Sequence, residues 1–99
     1  HHGRPREDVR IDVLTPELQK RLSQMQSRGI LPRDALTPRV IRGLRDARDG
    51  KVEHRVLVFA AHLMELRKQG KDAVREYGGA ERLGDELMRR ALGQEGGEG

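Results

Sequence analysis

Cysteine and tryptophan are absent from this sequence, and its aromatic side chains are Phe59 and Tyr77. Without cysteine the chain has no disulfide staple and no thiolate, which fits a reducing compartment. With so few rings it has no row of aromatics on which single strands or splayed RNA bases would stack. Long apolar runs are lacking as well. None approaches the roughly 18 residues that a membrane span needs, and no signal-peptide pattern stands at the start. The chain is read as cytoplasmic, with no membrane partner.

Serine occurs only at Ser23 and Ser27. There is no Ser-centred elbow, no Gly-rich phosphate loop and no Walker pattern, and the acids fall in caps and on polar faces, where no catalytic pair stands out. An enzyme is not expected, and no cofactor is implied. His54 and His62 have Glu53 and Glu65 near them, but their spacing gives neither the His pair of zinc proteases nor the Glu-x-x-His order of di-iron bundles. They are read as boundary histidines, and no metal is expected.

What the chain has is charge. Charged residues make up 36% and hydrophobic ones 34%, so a core must be built from Leu, Val, Ile and Met. The formal net charge is +4, and apart from Lys20, Lys51, Lys68 and Lys71 every cation is Arg, the side chain better shaped for phosphate and carboxylate. Ninety-nine residues amount to one small domain. His1-His2-Gly3 reads as the remnant of a purification tag, with residues 1–8 flexible, and residues 93–99, rich in Gly and Glu, as a disordered tail. The domain is expected over 9–92.

The domain is organised around Lys51 to Gln69. On a helix turning about 100° per residue, Val52, Val56, Phe59, Leu63 and Leu66 make one stripe, and Leu57, Ala61 and Met64 a second beside it. A helix apolar on two faces is expected to be covered from two sides. Glu53 lies in its first turn and Arg67 and Lys68 in its last, the arrangement the helix dipole favours, and Gly70 stops it.

Three further helices are predicted. Thr15-Pro16-Glu17 opens the first, which runs to about Arg28 and shows the narrow stripe Leu18, Leu22 and Met25. Asp34-Ala35-Leu36-Thr37-Pro38 repeats the same opening at an offset of 22; a reused capping device accounts for the echo, and internal duplication is the alternative. The second helix, Pro38 to about Arg48, sets Val40, Ile41, Leu44 and Ala47 against Arg39, Arg42, Arg45 and Arg48, and Asp49-Gly50 turns it into the central helix as an antiparallel pair. After a short segment from Ala73 to Tyr77, the last helix spans Ala80 to Leu92, and Gly84 within it implies close packing. Val9, Ile11 and Val13 alternate with polar residues, the pattern of a short strand with no partner in its own chain.

Val9-Arg10-Ile11-Asp12-Val13-Leu14-Thr15-Pro16-Glu17-Leu18, followed by Leu22, Met25 and Gly29, resembles the strand and first helix of ribbon-helix-helix DNA-binding proteins. The resemblance covers residues 9–29. It implies that two copies pair their strands and lay them in the major groove, with Arg10 and Asp12 at groove-facing positions. The chain departs from that family after Gly29, where Ile30 to Thr37, with Pro32, separates the first helix from the second.

The expected fold is therefore all-α, a small four-helix domain around a central buried helix, with one short N-terminal strand as an option. The expected function is non-catalytic binding. Association with double-stranded nucleic acid would use the Arg face of Arg39, Arg42, Arg45 and Arg48, extended by Lys51 and Arg55. Self-association, a dimer first, would use Val9, Ile11, Val13, Leu18, Leu22 and Met25. A protein-protein interaction or assembly module without nucleic-acid contact is the alternative.

Overall fold

A computed structural model describes residues 11–47 and 50–94. Its helices are α1 (Pro16–Ser27), α2 (Pro38–Asp46), α3 (Val52–Lys68), α4 (Ala73–Tyr77) and α5 (Ala80–Ala91), and the described residues contain no strand. The expected all-α domain around a central helix is what forms. Val9, Arg10, Arg48 and residues 95–99 lie outside the described residues.

Local chemistry sets the helix ends. The Thr15 hydroxyl accepts from the Leu18 N–H at 3.2 Å and the Thr37 hydroxyl from the Val40 N–H at 3.3 Å, each followed by a proline that has no N–H to leave unpaired. The Asp72 carboxylate does the same for the Val74 N–H at 3.2 Å. Helices α1 and α3 both stop in a glycine turn. Gly29 (φ 76°) lets Ile30 N–H reach back to the Met25 carbonyl, and Gly70 (φ 78°) lets Lys71 N–H reach that of Leu66.

Helix α3 is the centre of the packing. The Thr15 hydroxyl meets the Glu53 carboxylate at 3.0 Å at its start and the Arg67 guanidinium donates to the Arg28 carbonyl near its end, so α1 runs alongside it in the same direction. Arg55 donates to the Ala91 carbonyl and Arg90 lies over the Phe59 ring at 4.9 Å, which makes α5 antiparallel to α3. Phe59 is wholly buried, with Tyr77 edge-on at 6.0 Å and His62 stacked at 6.1 Å. Val52, Val56 and Leu63 are buried beside it, while Leu66, expected to be inaccessible, is only partly so.

Four expectations need correction. The strand-like residues Ile11–Val13 wind into a 3₁₀ turn, with Ile11 packed on the core and the Leu14 N–H bonded to the Ile11 carbonyl. A strand without a ladder partner has unpaired backbone groups, and the local turn satisfies one of them. Leu18, Leu22 and Met25, expected to be shielded by a second subunit, are 3%, 0% and 2% exposed within their own chain. Helix α1 packs on α3, and its narrow stripe is part of the one buried cluster. Helix α2 runs opposite to α3, yet its main neighbour is α5, to which Arg39 reaches through Asp85. Finally, α3 is covered on one side only: Leu57 is 42% and Val58 54% exposed, and Ala61 is exposed beside them.

Gly84 has the close contact its presence implied. Its backbone lies against the 3₁₀ turn Arg33–Ala35, where a Cβ would run into the Ala35 carbonyl.

Candidate nucleic-acid interface

The Arg face of α2 is solvent-facing but largely neutralised. Arg39 Nη1 sits 3.1 Å from both carboxylate oxygens of Asp85, and Arg45 Nε 3.0 Å from Asp46 Oδ1. Arg42 is exposed, and it, Lys51 and Arg55 all have interactions of their own. Arg55 also bends inward to the Ala91 carbonyl. The spacing of three brings Arg39, Arg42 and Arg45 onto one side of α2. Acids from α2 and α5 then meet them there, which dilutes the field a phosphate would feel.

A different set of cations converges where α1 and α3 end. Because α1 and α3 are parallel, both end on the same side, and the turn after α1, the end of α3 and the start of α4 enclose an open cleft of about 750 Å³. Arg33, Arg67 and Lys71 line it over a floor that includes Ile30, Leu31 and Leu63. Among the described residues Arg33 and Lys71 make no ion pair and no side-chain hydrogen bond. Arg67 donates to the Arg28 carbonyl, which takes up one of the five N–H groups of a guanidinium. Asp72 is the acid on the rim, and its carboxylate is engaged by the Val74 N–H. The carbonyls of Gln24, Met25 and Gln26 at the end of α1 and of Glu65, Leu66 and Arg67 at the end of α3 accept from backbone N–H groups of the two glycine turns, and that of Arg28 accepts from Arg67. The cleft thus presents guanidinium and ammonium donors to an anion.

Sequence reasoning missed this grouping. Arg33, Arg67 and Lys71 belong to separate segments, and no periodicity links them. The available signal was indirect: Gly29 and Gly70 both mark helix stops, and the cations follow or precede those stops by a few residues.

The histidines stand apart. His62 Nε2 is 3.2 Å from the Tyr77 hydroxyl, and His54 lies exposed on α3. Burial raises the Tyr77 phenol above its ordinary value of 10.0, opposed by the Arg90 charge and reinforced by Glu86 and Glu76. Among the described residues no three His, Asp or Glu side chains are grouped as a metal site would need, and no helix is long and apolar enough to cross a membrane. No family model matches the chain, and neither a curated protein nor a solved structure is found to be similar to it.

Proposed function

We propose that this protein is a non-catalytic helical module that associates with double-stranded nucleic acid through backbone phosphates, acting as an oligomer. The observation that carries the reading is the cleft at the ends of α1 and α3, where Arg33, Arg67 and Lys71 meet and none of the three has an acidic partner among the described residues. Arg and Lys placed this way neutralise phosphate without reading bases. The scarcity of aromatics argues for duplex over single strands. The Arg row on α2 is the weaker contact, because Asp85 and Asp46 already compete for it.

The test is a gel shift with random-sequence duplex at two salt concentrations. Binding at low salt should weaken with a slope of about 0.9 in log affinity per log salt for each phosphate contacted. Replacing Arg33 and Lys71 with Gln should flatten that slope by about two contacts, while Arg42→Gln with Arg45→Gln leaves it in place. The reverse pattern would move the interface to α2. No shift at low salt would remove nucleic acid altogether and leave a protein-protein interaction or assembly module, which the exposure of Leu57 and Val58 favours.

A further inference from the structure

The cleft where α1 and α3 end holds more positive charge than a single backbone phosphate balances. Arg33 comes from the 3₁₀ turn before α2, Arg67 from the last turn of α3 and Lys71 from the link between α3 and α4, so the cations reach it from separate parts of the chain. None has an acidic partner among the described residues, and Arg67 keeps N–H groups to spare after donating to the Arg28 carbonyl. Asp72 is the acid in the lining, and its carboxylate accepts from the Val74 N–H. Three cations less this one carboxylate leave the lining side chains with a net charge of +2.

We infer that the cleft is a site for a phosphomonoester, which rests on the phosphate-binding reading above and narrows it to one class of ligand. Near neutral pH a monoester carries a charge of about −1.5 to −2 and offers three acceptor oxygens, so it balances the lining. A linkage within a nucleic-acid backbone carries one negative charge and is tied to sugars on both sides, so it lies across the mouth of a cleft. A terminal phosphate is tied on one side and enters. Its three oxygens suit donors that arrive from three segments, whereas the two coplanar oxygens of a carboxylate are matched by one guanidinium fork. Pro32, Leu63 and Val74 in the lining make the walls apolar, and a cleft with one sign of charge and low-dielectric walls focuses its field on what it holds. The second negative charge of the monoester therefore counts for more here than on an open surface.

Calorimetric titration of the full chain with phenyl phosphate and with methyl phenyl phosphate compares a monoester and a diester that share one apolar body. At low salt the monoester should bind about tenfold more tightly, the worth of one more charge-assisted hydrogen bond. Arg33→Gln and Lys71→Gln should each cost the monoester about that factor. Far-UV helicity should not change in either variant, because both side chains are exposed. Arg42→Gln with Arg45→Gln should leave both affinities as they are. The monoester has two sources, a nucleic-acid end and a small phosphate ester, and a gel shift of duplex with 5′-phosphate or 5′-hydroxyl ends separates them. A stronger shift with phosphate ends, lost in Arg33→Gln, assigns the cleft to the end of a strand. Equal shifts beside an intact monoester preference assign it to a small phosphate ester.

Equal affinity for the two esters, or binding of neither, would overturn the inference. So would a monoester preference that survives Arg33→Gln with Lys71→Gln, since the site would then lie elsewhere. The two readings fail separately. A salt-dependent duplex shift with no preference for the monoester keeps the backbone contact and removes this site. A monoester preference with no shift of 5′-hydroxyl duplex at low salt removes the backbone contact and leaves this site standing.

Discussion

Gly84 and Gly43 show how one residue type takes opposite roles in two helices. Helix propensity alone would have Ala at either position stabilise by about 1 kcal/mol. At Gly84 the new methyl meets the backbone carbonyl of Ala35, which cannot yield without moving the 3₁₀ turn. Gly84→Ala should therefore destabilise by about 1–3 kcal/mol. At Gly43 the methyl meets only the Met88 side chain, which is flexible, so Gly43→Ala should be neutral or mildly stabilising. Urea unfolding of the two variants side by side checks both; equal effects would mean that α5 is not seated on the Ala35 turn. Tyr77 offers a spectroscopic counterpart. Burial favours its neutral form, so its folded pKa lies above the unfolded value of 10.0. The stability this contributes is complete below pH 10 and is lost as pH rises through the folded value. Absorbance at the phenolate band should accordingly rise above pH 10 in the folded protein and at a lower pH in denaturant. A folded midpoint at or below the denatured one would place the ring in solvent.

At the scale of elements, the two Thr-Pro starts make a matched experiment. Thr15 and Thr37 cap α1 and α2 with similar geometry, so removing either hydroxyl by Thr→Ala should cost about 1 kcal/mol. Thr15 also donates to Glu53 on α3, a contact for which Thr37 has no equivalent among the described residues. Thr15→Ala should thus be the more costly of the two in thermal unfolding, and the excess should vanish in a Glu53→Gln background if the charge of that acceptor matters. These starts are legible because a cap needs only residues adjacent in sequence. The Ile11–Val13 turn misleads for the same reason in reverse: alternation of apolar and polar residues signals a strand only where a ladder partner exists.

For the molecule as a whole, α1, α4 and α5 meet at α3, and α2 joins them through α5. Phe59 touches residues from α4 and α5 as well as its own helix. Phe59→Ala should cost about 3–5 kcal/mol, a large share of what a small domain has. Because the buried residues form one cluster, unfolding of the wild type should be a single transition, with far-UV circular dichroism and Tyr77 fluorescence changing together. Separated curves would show α4 and α5 leaving as a unit before α1 and α3.

Helix positions, caps, stops and the buried stripe of α3 were determined by the sequence alone, since each depends on spacing within one segment. Val56, Phe59 and Leu63 announce their burial by recurring at three and four residues. What the tertiary structure decided was which apolar face would be used and which cation would be met by an acid. Leu18, Leu22 and Met25 form a stripe that looked too narrow to be core and is core, because α1 lies parallel to α3 and buries it. Leu57 and Val58 looked as apolar as their neighbours and stay exposed, because α1 and α5 approach the same side of α3. The Arg row of α2 was visible as a period of three, yet Asp85 that meets it comes from a helix 46 residues away. Arg33, Arg67 and Lys71 share no periodicity, only nearness to the helix stops at Gly29 and Gly70. Their cleft exists only because two parallel helices end side by side, and the relative direction of helices is a long-range property that no local spacing encodes.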